Sequence, residues 1–97
     1  SGELGIDPAT NELASGGVGP ETSMIFANIE RTLAEFDADL SDVVKCSVFL
    51  DDMAAYGAMN AAYDAALPDP KPARSTFGVN GLALGAEVEI ECLAVAP

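Results

Sequence analysis

From Glu87 to Ala96 the chain alternates without a break. Val88, Ile90, Cys92, Ala94 and Ala96 fall on one side, and Glu87, Glu89, Glu91, Leu93 and Val95 on the other. A period of two marks a β-strand, because successive side chains point to opposite faces. Such a strand belongs to a sheet that buries one face, and the rest of the chain must supply the layer that covers it.

Two helices are available for that layer. Pro20-Glu21-Thr22 reads as a helix start, with Pro and an acid in the first turn. Ile25, Ile29, Leu33 and Phe36 follow at helical spacing, with Asn28, Glu30, Arg31 and Glu35 on the other side, predicting an amphipathic helix to about Phe36. Asp37 to Asp42 is a polar connector. Asp51 or Asp52 caps a second helix through about Leu67. Its stripe of Tyr56, Met59 or Asn60, Tyr63 and Leu67 reads as a face packed on the sheet.

Val43 to Leu50 is dense in β-branched and aromatic residues and predicts another strand. Val44, Cys46, Val48 and Leu50 share one face; Val43, Lys45, Ser47 and Phe49 share the other. Pro68-Asp69-Pro70-Lys71-Pro72 ends the second helix and forms a stiff linker to a strand from Ser75 to Val79. Asn80-Gly81 and Gly85 are turn signals. At the start, Ser1 to Ile6, a turn at Asp7 to Asn11 and Glu12 to Ala14 outline a hairpin that ends at Ser15-Gly16-Gly17. The order predicts an α+β fold with two helices on one face of a sheet, in one domain over residues 1–97.

Sixteen acidic residues stand against four basic ones, and the net charge is −12. Phosphate backbones are held by Lys and Arg, so nucleic acid and anionic membrane are poor partners and neither is expected. No apolar stretch reaches the roughly 20 residues a membrane span needs, and no signal peptide is visible, so the expected location is the cytoplasm. Cys46 and Cys92 are read as small buried hydrophobes in a reducing compartment. With no histidine and no Cys-x-x-Cys, a zinc site is not expected and Ser/His/Asp catalysis is excluded. Gly16-Gly17 lacks the context of a phosphate loop. A hydrophobic share of 49% in so small a domain suggests that some apolar surface is buried between subunits.

Two readings are open for Arg74. A rigid fork of N–H donors delivered by a Pro-rich linker suits a bidentate carboxylate clamp; an exposed charge or structural ion pair is the alternative. Glu87, Glu89 and Glu91 form either a solvated or inter-subunit face, or include one partly buried carboxyl that moves protons near neutral pH. Asn60, among apolar helix residues, reads by itself as a structural hydrogen bonder.

Beyond these readings the chain resembles the RidA/YjgF/UK114 family, the reactive-intermediate (enamine/imine) deaminases. The stretches that carry the resemblance are Ser1-Gly2-x-Leu4-Gly5-Ile6-Asp7-Pro8, Asn28-Ile29, Asp42-Val43-Val44-Lys45, Val48-Phe49-Leu50-x-Asp52-Met53, Met59-Asn60-x-x-Tyr63, Lys71-Pro72-Ala73-Arg74-Ser75-Thr76 and Val88-Glu89-Ile90-Glu91. They are collinear. The resemblance implies a chorismate-mutase-like mixed sheet with two helices on one face, a homotrimer with clefts between subunits, and no metal or cofactor. It implies hydrolysis of 2-aminoacrylate and 2-iminobutanoate to 2-keto acids and ammonia. Arg74 then matches the carboxylate-binding arginine and Glu89 the glutamate that activates water. Asn60 matches a pocket asparagine, Thr76 a residue whose backbone lies near substrate, and Ser1 and Gly2 a pair lining the cleft. Family members carry a further segment before the Ser-Gly pair, so the chain is expected to be a fragment or truncated product with an open sheet edge. Two other functions are weighed: a non-catalytic trimeric module that binds a small carboxylate, and an endoribonuclease or translation inhibitor, which the charge disfavours.

Overall fold

The computed structural model describes residues 2–96. Short strands β1 (Glu3–Leu4), β2 (Ile6–Asp7) and β3 (Glu12–Leu13) lead into helix α1 (Val18–Ala34). Strand β4 (Val43–Leu50), helix α2 (Tyr56–Ala66), strand β5 (Ala73–Gly78) and strand β6 (Val88–Ala94) follow. The main sheet has the order β1-β6-β4-β5, with β4 and β5 parallel and the other neighbours antiparallel. β2 and β3 form a separate hairpin. Both helices cover one face of the main sheet, giving the α+β architecture that the alternation demands.

The core lies between helices and sheet. Ile25, Phe26 and Ile29 of α1 and Met59 and Tyr63 of α2 meet Cys46, Val48, Leu50, Val88 and Ile90. Each fully buried aliphatic side chain contributes about 1.5–3 kcal/mol relative to exposure. The opposite face carries Lys45, Ser47, Phe49, Glu89, Glu91 and Leu93, paired across β4 and β6, and has no covering layer among the described residues. No helix among those residues is long and apolar enough to cross a membrane.

Several expectations are corrected. Helix α1 starts at Val18, two residues before Pro20. Pro20 is tolerated because the first four N–H groups of a helix have no intrahelical acceptor; Glu21 N–H makes a first bond, to Gly17 O at 3.1 Å. Phe36 falls beyond the helix and is exposed. Asn28 is buried rather than solvent-facing: its amide donates to Ile6 O at 2.9 Å and its Oδ1 accepts from Arg31 at 2.7 Å. It ties the β2–β3 hairpin to α1. Asp52 caps a short 3-10 turn, Met53–Ala55, before α2 begins. Strand β5 starts at Ala73, so Arg74 lies within it.

The assignment of faces at the start of β4 is also reversed. Val43 is 6% exposed and Val44 44% exposed. The pairing with β6 shifts register between Val43 and Lys45. An extra residue in one strand turns the side chains before it to the other face, which no hydropathy pattern announces. The cysteines, expected as free thiols, are joined. Cys46 and Cys92 are direct partners across β4 and β6, Cα atoms 4.1 Å apart, and form a disulfide. Register, which the sequence does not supply, is what brings them together.

Candidate functional site

Arg74 is placed by two constraints. Lys71 Nζ donates to Asp64 O at 2.7 Å and also to Leu67 O, satisfying carbonyls at the end of α2. This pins the linker to the helix. β5 then runs parallel to β4, with Arg74 opposite Cys46 and Thr76 opposite Val48. Cys46 and Val48 face the helices, so Arg74 and Thr76 do too, half-buried, about 6.6 Å apart along one face.

Helix α2 supplies the partners of Arg74. Tyr56 and Asn60 are four residues apart and share a helix face with Tyr63. Arg74 Nη1 donates to Asn60 Oδ1 at 2.7 Å and Nη2 to Tyr56 Oη at 2.5 Å. The guanidinium carbon lies 4.6 Å from the centroid of the Tyr63 ring and 5.5 Å from that of Tyr56. Tyr63, 2% exposed, packs edge-to-face on Phe26 at 5.5 Å. Burial pushes the Tyr63 phenol up against a smaller downward pull from Arg74, so the ring under the cation stays neutral. All these partners are uncharged. Among the described residues the one ion pair is Lys71–Asp69 at 3.9 Å, and Arg74 has no carboxylate partner. In a chain with sixteen acids, this half-buried guanidinium has only neutral hydrogen-bond partners among the described residues.

Glu89 is elsewhere. Its Cα partners are Phe49 on β4 and Leu4 on β1, and its neighbours Val88 and Ile90 point into the core. Glu89 therefore lies on the uncovered face. Within one protomer, Arg74 and Glu89 sit on opposite faces of the sheet, with β4 between their strands. Gly2 lies against Glu89: a Cβ at residue 2 would come within 2.8 Å of the Glu89 Cδ, so glycine permits the approach. Ser1 lies outside the described residues. Beside Glu89, Phe49 stacks on Phe77 with ring centroids 5.8 Å apart, and Phe77 is 49% exposed. Of the expected site residues, the fold thus gathers Arg74, Asn60 and Thr76 on one face, and Glu89 and Gly2 on the other.

Two participants escape the sequence reading. Tyr56 looks like packing surface, although its spacing from Asn60 is a signal that both serve one partner. Glu21 looks like an ordinary first-turn acid but is 4% exposed. Its Oε1 accepts the Glu87 N–H at 3.0 Å, joining α1 to the start of β6. Burial pushes the Glu21 carboxyl above its ordinary value, with the nearby Glu87 and Asp51 charges adding to the rise and backbone N–H donors pulling it down.

Known proteins are similar to this chain in sequence and in fold. The family described as Endoribonuclease L-PSP matches residues 1–96. The chain is 40% identical over 94 residues to the chloroplastic Reactive Intermediate Deaminase A of Arabidopsis thaliana, covering 97% of this chain and 50% of that protein. It is 39% identical over 95 residues to the 2-iminobutanoate/2-iminopropanoate deaminase of Capra hircus, covering 98% of this chain and 69% of the relative. The chain thus spans half the length of the first relative and about two-thirds of the second. The crystal structure of RidA from the Antarctic bacterium Psychrobacter sp. superposes with a TM-score of 0.91 at 38% identity, over 98% of this chain and 77% of that one. The YjgF gene product of E. coli gives 0.90 at 27% identity, over 100% of this chain and 78% of that one. Sequence and fold agree along the described length, and the chain belongs to the RidA/YjgF/UK114 family.

Proposed function

We propose that this chain hydrolyses small 2-imino and 2-enamino acids, such as 2-iminobutanoate and 2-aminoacrylate, to 2-keto acids and ammonia. The observation that carries the reading is Arg74, a guanidinium held by neutral oxygens with no anionic partner among the described residues. Free N–H groups of its fork clamp the substrate carboxylate. Asn60 and Tyr63 keep it oriented, and Thr76 lies on the same face of β5. The imine carbon is already electrophilic, so a positioned water and one proton relay complete the chemistry. Water adds to the C=N carbon while Glu89 takes one of its protons and passes it to nitrogen; the carbinolamine hydroxyl then gives its proton to nitrogen by the same relay, the C–N bond breaks, and ammonia leaves as the C=O forms. The names of the deaminase relatives support this reading.

Arg74 and Glu89 occupy opposite faces of one sheet, so the proposal requires at least two copies. Glu89 and Gly2 of one copy then face Arg74 of another, in a homotrimer with clefts between subunits. The uncovered face exposes the apolar Phe77 and Leu93 among polar and acidic residues, and that apolar part suits such contact. The test is keto-acid release from 2-iminobutanoate made in situ by a threonine dehydratase. Release faster than the buffer rate, lost in Arg74→Ala and in Glu89→Gln, is the expected result. An unchanged buffer rate refutes the enzyme.

The separation of Arg74 from Glu89 favours a second reading, a module that binds a small carboxylate without turnover, since Arg74 alone needs one protomer. Binding of 2-oxobutanoate by a wild-type chain with no turnover would select it. RNA cleavage, the activity in the family's description, is disfavoured by the −12 charge. Cleavage by purified protein that persists in Arg74→Ala would restore it.

A further inference from the structure

We propose that Tyr56 is a positioning residue of the carboxylate clamp, fixing one arm of the Arg74 fork and offering its own O–H to the bound carboxylate. The proposal rests on the reading of Arg74 as the clamp. The two arms of the fork are tied to one helix face: Nη1 to Asn60 and Nη2 to Tyr56, one turn apart. A guanidinium has five N–H donors in a rigid plane. Two are used here, and the rest stay in fixed directions for a ligand. Without the second tether the plane could pivot about the Asn60 bond, and order would have to be supplied when the ligand binds.

The Tyr56 contact is made by the hydroxyl. The ring centroid lies 5.5 Å from the guanidinium carbon, against 4.6 Å for Tyr63, so Tyr63 is the stacking surface and Tyr56 the tether. A phenol that accepts an N–H keeps its own proton to donate. Tyr56 is also partly exposed, whereas Tyr63 is sealed, so of the two hydroxyls that of Tyr56 can meet an incoming anion. The two tyrosines thus divide the work: one is a buried platform, the other an accessible donor beside the fork.

The test is Tyr56→Phe, which keeps the ring and removes the oxygen. Four quantities are read: the Kd for 2-oxobutanoate, KM and kcat for 2-iminobutanoate, and Tm. Losing a hydrogen bond to a charged group predicts Kd and KM weaker by about tenfold, with kcat within about threefold. Tm should stay within roughly 3 °C. A Kd and KM within twofold of the wild type overturn the proposal. A fall in kcat at unchanged KM overturns it as well, because Tyr56 would then act in the chemical step. A large drop in Tm overturns it in favour of a structural role. The wild-type arm stands apart: absence of both 2-oxobutanoate binding and turnover refutes the clamp itself, whereas a functional wild type with an indifferent Tyr56→Phe refutes the Tyr56 proposal alone.

Discussion

At Glu21, burial and hydrogen bonding pull in opposite directions, and burial wins. The folded carboxyl titrates above its ordinary value of 4.5. Between that value and the raised one, the folded chain holds a proton that the unfolded chain has released. Stability from this group therefore falls as pH rises through that window and is flat on either side. Glu21→Gln cannot titrate. The variant should gain stability relative to wild type as pH rises from about 4 to neutrality, read by urea unfolding at several pH values. Parallel stability curves would reject a buried, titrating Glu21. The sequence gives no hint of this burial, because it depends on Gly5. There a Cβ would lie 2.8 Å from the Glu21 Cα, so glycine lets β1 and β2 pass close beneath the helix. From its type and linker Arg74 reads either as a carboxylate clamp or as an exposed or paired charge. Its neutral partners are not legible, because they come from a helix whose rotation against β5 no local pattern records.

Among the elements, the two long strands differ in how plainly they read. β6 keeps its alternation to the end of its buried run, and its faces match the pattern. β4 does not, because its register shift lies between Val43 and Lys45, where three residues in a row could serve either face. The consequence is measurable. Val43→Ser should cost about 2 kcal/mol and Val44→Ser less than about 0.5 kcal/mol in chemical unfolding, the reverse of the order that simple alternation predicts. Equal costs would remove the bulge. The cysteine pairing belongs to the same class of information. Strand identity was readable for both partners, but only register sets Cys46 opposite Cys92.

On the scale of the whole molecule, one sheet separates two groups of candidate site residues. Arg74, Asn60, Tyr56 and Thr76 lie on the helix side; Glu89 and Gly2 lie on the uncovered side. If the reaction needs both groups, two inactive variants should rescue each other. Arg74→Ala and Glu89→Gln, unfolded together and refolded as a 1:1 mixture, should regain about one quarter of wild-type activity, because that share of interfaces pairs an intact Arg74 with an intact Glu89. No recovery would place both residues in one copy's site, against the sheet geometry. The uncovered face has one more consequence. It mixes exposed Phe77 and Leu93 with Glu89 and Glu91, so any copy docking there hides oil and gathers like charge at once. In a homotrimer assembled as proposed, electrolyte would decide that contest: the Debye length shrinks from about 8 Å at physiological ionic strength to about 3 Å at 1 M, so the medium itself would become a dial on assembly.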